Sequence, residues 1–134
     1  QNSSLYRWNT SGTAYRILDE NDLPLMTDSG WVNITLGSGI TAVSYIGARV
    51  RKIGSMVNVV MGVTGATAAF QTLGTLAQGY RPKKEINLAA RYYNSPTAAI
   101  SIGTDGTIKV LQTSSGGSSY NASGAISFSI TYFI

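Results

Sequence analysis

Apolar and polar residues alternate one for one at the C-terminal end of this chain. Phe128, Ile130, Tyr132 and Ile134 fall on one side of an extended backbone, and Ser127, Ser129 and Thr131 fall on the other. A helix would scatter both sets around its axis. A strand with one face on a core sorts them, so this segment is read as a half-buried strand. Further upstream, Gly30 opens a series of similar segments. Trp31 to Leu36 predicts a first strand, stopped at Gly37-Ser38-Gly39, and Val43 to Ile53 predicts a second. Gly54-Ser55 then offers glycine at the first central position of a two-residue type II′ turn. The return strand, Met56 to Val63, holds the run Val57-Asn58-Val59-Val60-Met61, the pattern of a strand buried on both faces.

Further strands are expected at Phe70 to Leu76, Glu85 to Tyr93, Ala98 to Ile102 and Thr107 to Leu111. The last two flank Asp105-Gly106, a type I′ hairpin signal. Residues 113–124 are rich in Ser and Gly and read as a long loop. No apolar stripe recurs at helical spacing for two clean turns, and no internal repeat is visible. About eight short strands with regular turn signals predict an all-β antiparallel barrel or β-sandwich of jelly-roll type. Residues 1–29 stand apart. They hold Asp19, Glu20, Asp22 and Asp28, four of the six acids, and Leu23-Pro24 breaks any helix there. They are read as a neck or linker with one short strand around Tyr15–Leu18, and residues 30–134 as the head. A chain opening on Gln1 rather than Met reads as a piece of a longer polypeptide, so any targeting signal would lie upstream.

What the chain lacks bounds its chemistry. With no histidine and no cysteine it has no imidazole base, no thiolate nucleophile and no disulfide framework. A glycosidase needs two facing carboxyls, and outside the neck only Glu85 and Asp105 remain. Asp105 has a plain local role in an Asp-Gly turn. The cluster Asp19-Glu20-Asn21-Asp22 lacks the spacing of a calcium loop and reads as solvated linker. Neither an enzyme, nor a metal site, nor any other cofactor is expected.

Only 12% of residues are charged, and 16 Ser, 14 Thr, 8 Asn and 15 Gly take their place. Such a surface fits a virion or secreted protein, or a subunit hiding much of itself in an oligomer. The net charge of +4 is not gathered into one patch; Arg49-Val50-Arg51-Lys52 and Arg81-Pro82-Lys83-Lys84 read as solvated hairpin and loop ends. Nucleic acid is not expected as a partner. Nor is membrane insertion, since no apolar run approaches the ~20 residues that span a bilayer.

Binding chemistry is better served. A saccharide offers apolar C–H faces and rings of hydroxyls, so its site needs an aromatic platform beside planar polar groups. Arg91-Tyr92-Tyr93-Asn94 has that makeup. On a strand Arg91 and Tyr93 face one way and Tyr92 the other, so one tyrosine is expected in the core and one outside. Arg91, Tyr93 and Asn94 are therefore candidate saccharide-binding residues, with Tyr120 of the Ser/Gly loop as a fourth. The plainer readings are packing or an oligomer contact for the tyrosine pair, and a lid on the core for Tyr120. For Trp31, core or inter-subunit packing competes with ligand stacking.

The order of these elements resembles a known family. Tyr15-Arg16-Ile17-Leu18-Asp19-Glu20-Asn21-Asp22-Leu23-Pro24 looks like the connector before the terminal domains of phage tail fibres, and Gly30-Trp31 begins such a domain in a similar way. Tyr45 to Val63 resembles the hairpin of such domains, an Arg-bearing strand followed by a Val-rich one. Leu73-Gly74-Thr75-Leu76 followed by Gly79-Tyr80-Arg81-Pro82 looks like the "LP-x-GYRP" element of phage tail proteins, with Ala77-Gln78 where proline usually stands. The Ile100–Ile108 hairpin and the final strand complete the order. The resemblance is to receptor-binding head domains of siphophages that infect Gram-positive bacteria. It implies a homotrimer at the distal tail tip or baseplate, joined to upstream tail proteins. It also implies reversible attachment to cell-wall polysaccharide or teichoic-type polymer. The GYRP element is structural in that family, and no site residue carries over.

Overall fold

The computed structural model describes residues 5–8, 14–17, 27–93, 95–113 and 119–134. Asn94 lies outside them, as do residues 114–118 of the Ser/Gly loop. Near the N-terminus β1 (Leu5–Trp8) and β2 (Ala14–Ile17) pair as an antiparallel hairpin. The rest is one antiparallel sheet of ten strands, among which the described residues include no α-helix.

The sheet is built outward from its longest hairpin, β6 (Ala48–Ile53) and β7 (Met56–Thr64). Gly54 sits at φ +61 at the turn, while Ser55 stays at negative φ, which is the backbone of the expected type II′ turn. The final strand β12 (Ile126–Phe133) pairs along the other side of β7 for its whole length. From there the order continues through β9 (Ile86–Tyr92), β10 (Ser95–Ile102), β11 (Thr107–Thr113) and β8 (Thr72–Thr75). Two short strands make the closure. β3 (Val32–Asn33) bonds β6, and β4 (Thr35–Leu36) bonds β8. These two are consecutive, joined at Ile34, so both ends of the strand order meet in one stretch of chain. The result is a nearly closed, barrel-like sheet, with β5 (Thr41–Ala42) as an extra strand on β7.

Alternate residues fill the interior. Val57, Val59, Met61 and Val63 of β7 are fully buried, as are Ile100, Ile102, Ile108, Val110 and Ile126. The other face of β7 is only half buried at Asn58 and Val60 and is covered only near Gly62, so most of this strand is buried on one side and not both. Its β-branched run reflects pairing on both edges rather than burial on both faces. On β12, Phe128 and Tyr132 point inward while Ser129, Thr131 and Phe133 face out, as the alternation required.

Two local expectations change. Val43 to Gly47 does not extend β6. It forms a turn in which Val43 O accepts from Ile46 N and Gly47 N, because Gly47 adopts φ +79. That turn lays Ile46 over Gly62, where a Cβ would come within 2.6 Å of the Ile46 side chain. Likewise a Cβ on Gly65 would meet Gly39 O at 2.1 Å. The small residues after Met61 therefore admit neighbours from the same chain. The β10–β11 hairpin is present, but its turn is not type I′. Gly106 N donates to Gly103 O, Asp105 keeps negative φ, and Gly106 takes φ +86. Asp105 Oδ1 accepts from Thr107 N at 2.9 Å, which holds the tighter four-residue turn.

Candidate binding surface at one barrel end

Residues 27 and 28 meet the barrel at one identifiable end. Gly54 N donates to Thr27 O, and Asp28 bridges to Ile53, beside the β6–β7 turn. The last residue, Ile134, is at the same end, bonded to Ser55 O. Following β12 back to Ile126 crosses the barrel, about 23 Å for seven steps of ~3.3 Å. At that far end Ile126 pairs with both Val63 and Tyr92. The sequence Arg91-Tyr92-Tyr93 therefore lies at the end opposite Thr27 and Asp28.

Alternation divides the three residues. Tyr92 turns inward at 8% exposure, while Arg91 is exposed and Tyr93 is 60% exposed. Tyr93 is anchored through its backbone, its N–H donating to Ala125 O at 3.1 Å. The ring is thus displayed from a fixed point on the sheet. Arg91 lies opposite Ser127 of β12. Asn94, the third expected member, lies outside the described residues.

Tyr120 is a lid, not a platform. It is 7% exposed, its ring meets Tyr92 edge-on at 5.1 Å, and its hydroxyl donates to Leu111 O. Burial pushes its phenol pKa up. Tyr92 in turn accepts at its hydroxyl from Asn121 N at 2.7 Å. Gly124 is required beneath that ring, since a Cβ there would lie 2.9 Å from Tyr92 Cε2. The two buried tyrosines so tie residues 120 and 121 onto the core and set the base on which Tyr93 stands.

Other clusters are non-local. Glu85 and Asp105 line one shallow depression of about 270 Å³ with Lys109. Both are engaged within their own hairpins: Glu85 Oε1 accepts from Ser101 Oγ at 2.9 Å, and the Thr107 amide holds the Asp105 carboxyl below its ordinary pKa. At the end that Thr27 meets, Lys52, Arg81 and Lys83 line an open cleft of about 600 Å³. Arg81 is fixed there by donation from Nε to Leu76 O at 3.0 Å, and the Tyr132 hydroxyl donates to Tyr80 O. The Gly79–Pro82 element thus works as structure. Finally, Trp31 is 44% exposed and lies against Arg49 and Arg51, its ring centroid 5.4 and 5.8 Å from their guanidinium carbons. The signal for this cluster was the i, i+2 spacing of the two arginines; their tryptophan partner is 18 and 20 residues away.

No protein-family model matches the chain, and no curated protein matches it. Among solved structures it is similar to the head domain of lactococcal phage bIL170, described with the receptor-binding domains of lactococcal phages. The TM-score is 0.59 and the identity 17%, over 78% of this chain and 96% of that one. It is also similar to the receptor-binding protein gp15 of Listeria phage PSA, with TM-score 0.50 and 19% identity, over 78% of this chain and 66% of that one. The chain has the fold of receptor-binding head domains from phages of Gram-positive bacteria.

Proposed function

We propose that this chain attaches a phage virion to its host by binding a cell-wall saccharide or teichoic-type polymer without hydrolysing it. Residues 30–134 serve as the head and residues 1–29 as the neck that joins upstream tail proteins. The observation that carries this reading is the display of Tyr93 and Arg91 at the barrel end farthest from the connector, on a fold that two phages use for receptor binding. A tail protein meets the cell with the end away from its attachment. An exposed phenol ring stacks on sugar C–H faces, and a guanidinium supplies paired hydrogen bonds to hydroxyls or phosphate. With Tyr120 committed to the core, Arg91, Tyr93 and the adjoining Asn94 are the proposed contact residues.

A shallow site gives weak single contacts, which a homotrimer and many trimers per virion would multiply. The low surface charge fits such an assembly. Light scattering should return about three times 14.2 kDa; a monomer at micromolar concentration would refute the trimer. No hydrolysis is expected, because the two head carboxylates are engaged within their own hairpins. Release of reducing ends from host wall, lost on E85Q or D105N, would refute that. The main test is adsorption. A head carrying Tyr93→Ala should assemble and melt like the parent yet adsorb poorly, and normal adsorption would move the site elsewhere.

A further inference from the structure

We propose that residues 27–34 are a shear clamp, the stretch through which tension on the neck passes into the barrel while the far end is held at a cell surface. These residues run antiparallel beside β6 for its whole length. Thr27 O accepts from Gly54 N, Asp28 bridges to Ile53, and Ser29 N donates to Lys52 O. Val32 and Asn33 pair with Val50 and Arg49, and Ile34 N donates to Ala48 O. The stretch starts at the β6–β7 turn and points toward the end that displays Tyr93, up to about 23 Å for seven steps of ~3.3 Å.

Direction decides how these bonds resist. Antiparallel ladder bonds lie perpendicular to their strands. A pull on Thr27 away from the far end therefore runs across all of them and loads them together. A pull that parts Thr27 sideways from the β6–β7 turn loads them one after another. Both break the same bonds. Shear must break them within roughly the reach of one hydrogen bond, whereas peeling spreads the work over the length of the strand. Force is work over distance, so the clamp is strong along the barrel and weak across it.

Side chains add to the grip where the stretch begins. Asp28 Oδ1 accepts from Arg51 Nε at 2.9 Å and Oδ2 accepts from Nη2, the one ion pair formed among the described residues. Lys52 N donates to Ser29 Oγ at 2.9 Å. Gly30 N donates to Asp28 Oδ1 at 2.8 Å, and Gly30 at φ +69 turns the chain so that the Trp31 ring lies against Arg49 and Arg51. None of these side chains is in the core, and surface pairs add little to equilibrium stability. All of them span two neighbouring strands across the direction of pull, so each must break before residues 27–34 slide. A virion held by reversible contacts at the far end is dragged through this joint, and the clamp keeps the barrel intact under that drag.

The clamp rests on the reading that the far end holds the host, but its test uses no host, so the two fail separately. The chain has no cysteine, so pairs of introduced cysteines set the direction of pull. Gln1→Cys with Ser123→Cys pulls along the barrel, because Ser123 is exposed just before β12 at the far end. There the pull meets β12, paired with β7 over its whole length, so residues 27–34 yield first. Gln1→Cys with Ser55→Cys pulls at the β6–β7 turn and peels. In optical tweezers on the full chain, the barrel should give way at a force at least about twofold higher along the barrel than at the turn. Held at one force along the barrel, Arg51→Gln and Asp28→Asn should shorten its lifetime about two- to fivefold, the weight of an exposed ion pair. Ser29→Ala should shorten it in the same sense. Asp105→Ala, which removes the acceptor for Thr107 N outside the clamp, should leave it unchanged. Equal forces in the two directions would overturn the proposal. So would parental lifetimes in the clamp variants, or equal shortening by Asp105→Ala. Asp28 and Ser29 are exposed, so their variants keep the test decisive even if Arg51→Gln disturbs the fold.

Discussion

Replacing each of the three clustered tyrosines by alanine separates display from packing. Tyr93 is 60% exposed, and the bond from its N–H to Ala125 O is a backbone bond that alanine retains. Truncating it should change stability by no more than ~0.5 kcal/mol, the usual range for surface sites. At ~4–8 °C per kcal/mol for a domain of this size, its melting point should move by less than about 4 °C. Tyr92 and Tyr120 are 8% and 7% exposed, pack edge-to-face at 5.1 Å, and each joins a hydrogen bond to the backbone. Removing either ring should cost ~3–5 kcal/mol, the range for aromatic deletions in cores, and lower the melting point by more than about 12 °C. Binding should run the opposite way. Loss of a stacking ring removes ~1–3 kcal/mol per site, about 5- to 150-fold, by analogy with bases stacked on aromatic residues. Calorimetry on the three variants, with adsorption of the head to host cells, reads both axes. The reasoning fails if Tyr93→Ala loses more than about 2 kcal/mol of stability, or if it adsorbs as the parent does.

Other variants test the packing and the charges. Gly65→Ala must fit a Cβ 2.1 Å from Gly39 O at φ +104, so urea unfolding should show a loss of about 3 kcal/mol or more; Gly30→Ala at φ +69 meets open space and should lose only ~1 kcal/mol. Tyr132→Phe removes the hydroxyl that donates to Tyr80 O and should cost ~1 kcal/mol at neutral pH. Burial raises the Tyr132 phenol to about 12, above its unfolded value near 10. Its stabilising share is therefore whole below about pH 10 and is lost as pH climbs to 12, so Tyr132→Phe should flatten base denaturation in that window. Asp28, lowered to about 2, runs in the other sense: its pairing with Arg51 holds above about pH 4 and fails as pH falls through 2. An NMR titration of its carboxyl should show this, and Arg51→Gln should return it toward the ordinary range.

The strands were legible where one face is covered, because burial writes a period of two into the chain. Phe128 to Ile134 and the split between Tyr92 and Tyr93 followed from that alone. The Gly54-Ser55 turn was legible because only one backbone solution suits glycine followed by an ordinary residue there. The turn at Val43–Gly47 was not, since its residues have the composition of a strand and a single positive φ at Gly47 decides the outcome. Asp105-Gly106 carried an ambiguous signal, resolved by the Asp105 side chain bonding Thr107 N. Barrel closure through Ile34 and the union of Trp31 with Arg49 and Arg51 join residues far apart in sequence, and local patterning holds no record of them. Ile46 fills the space above Gly62, and only the folded turn supplies that partner.

Competition at the host surface tests the central claim most directly. Purified head, labelled and assembled, is offered to cells of the strain that the virion carrying it infects, before the phage is added. Saturable binding to those cells is predicted, together with dose-dependent blocking of phage adsorption. Both should be lost once wall glycopolymers are stripped from the cells. An assembled, folded head that neither binds these cells nor slows adsorption would contradict the account.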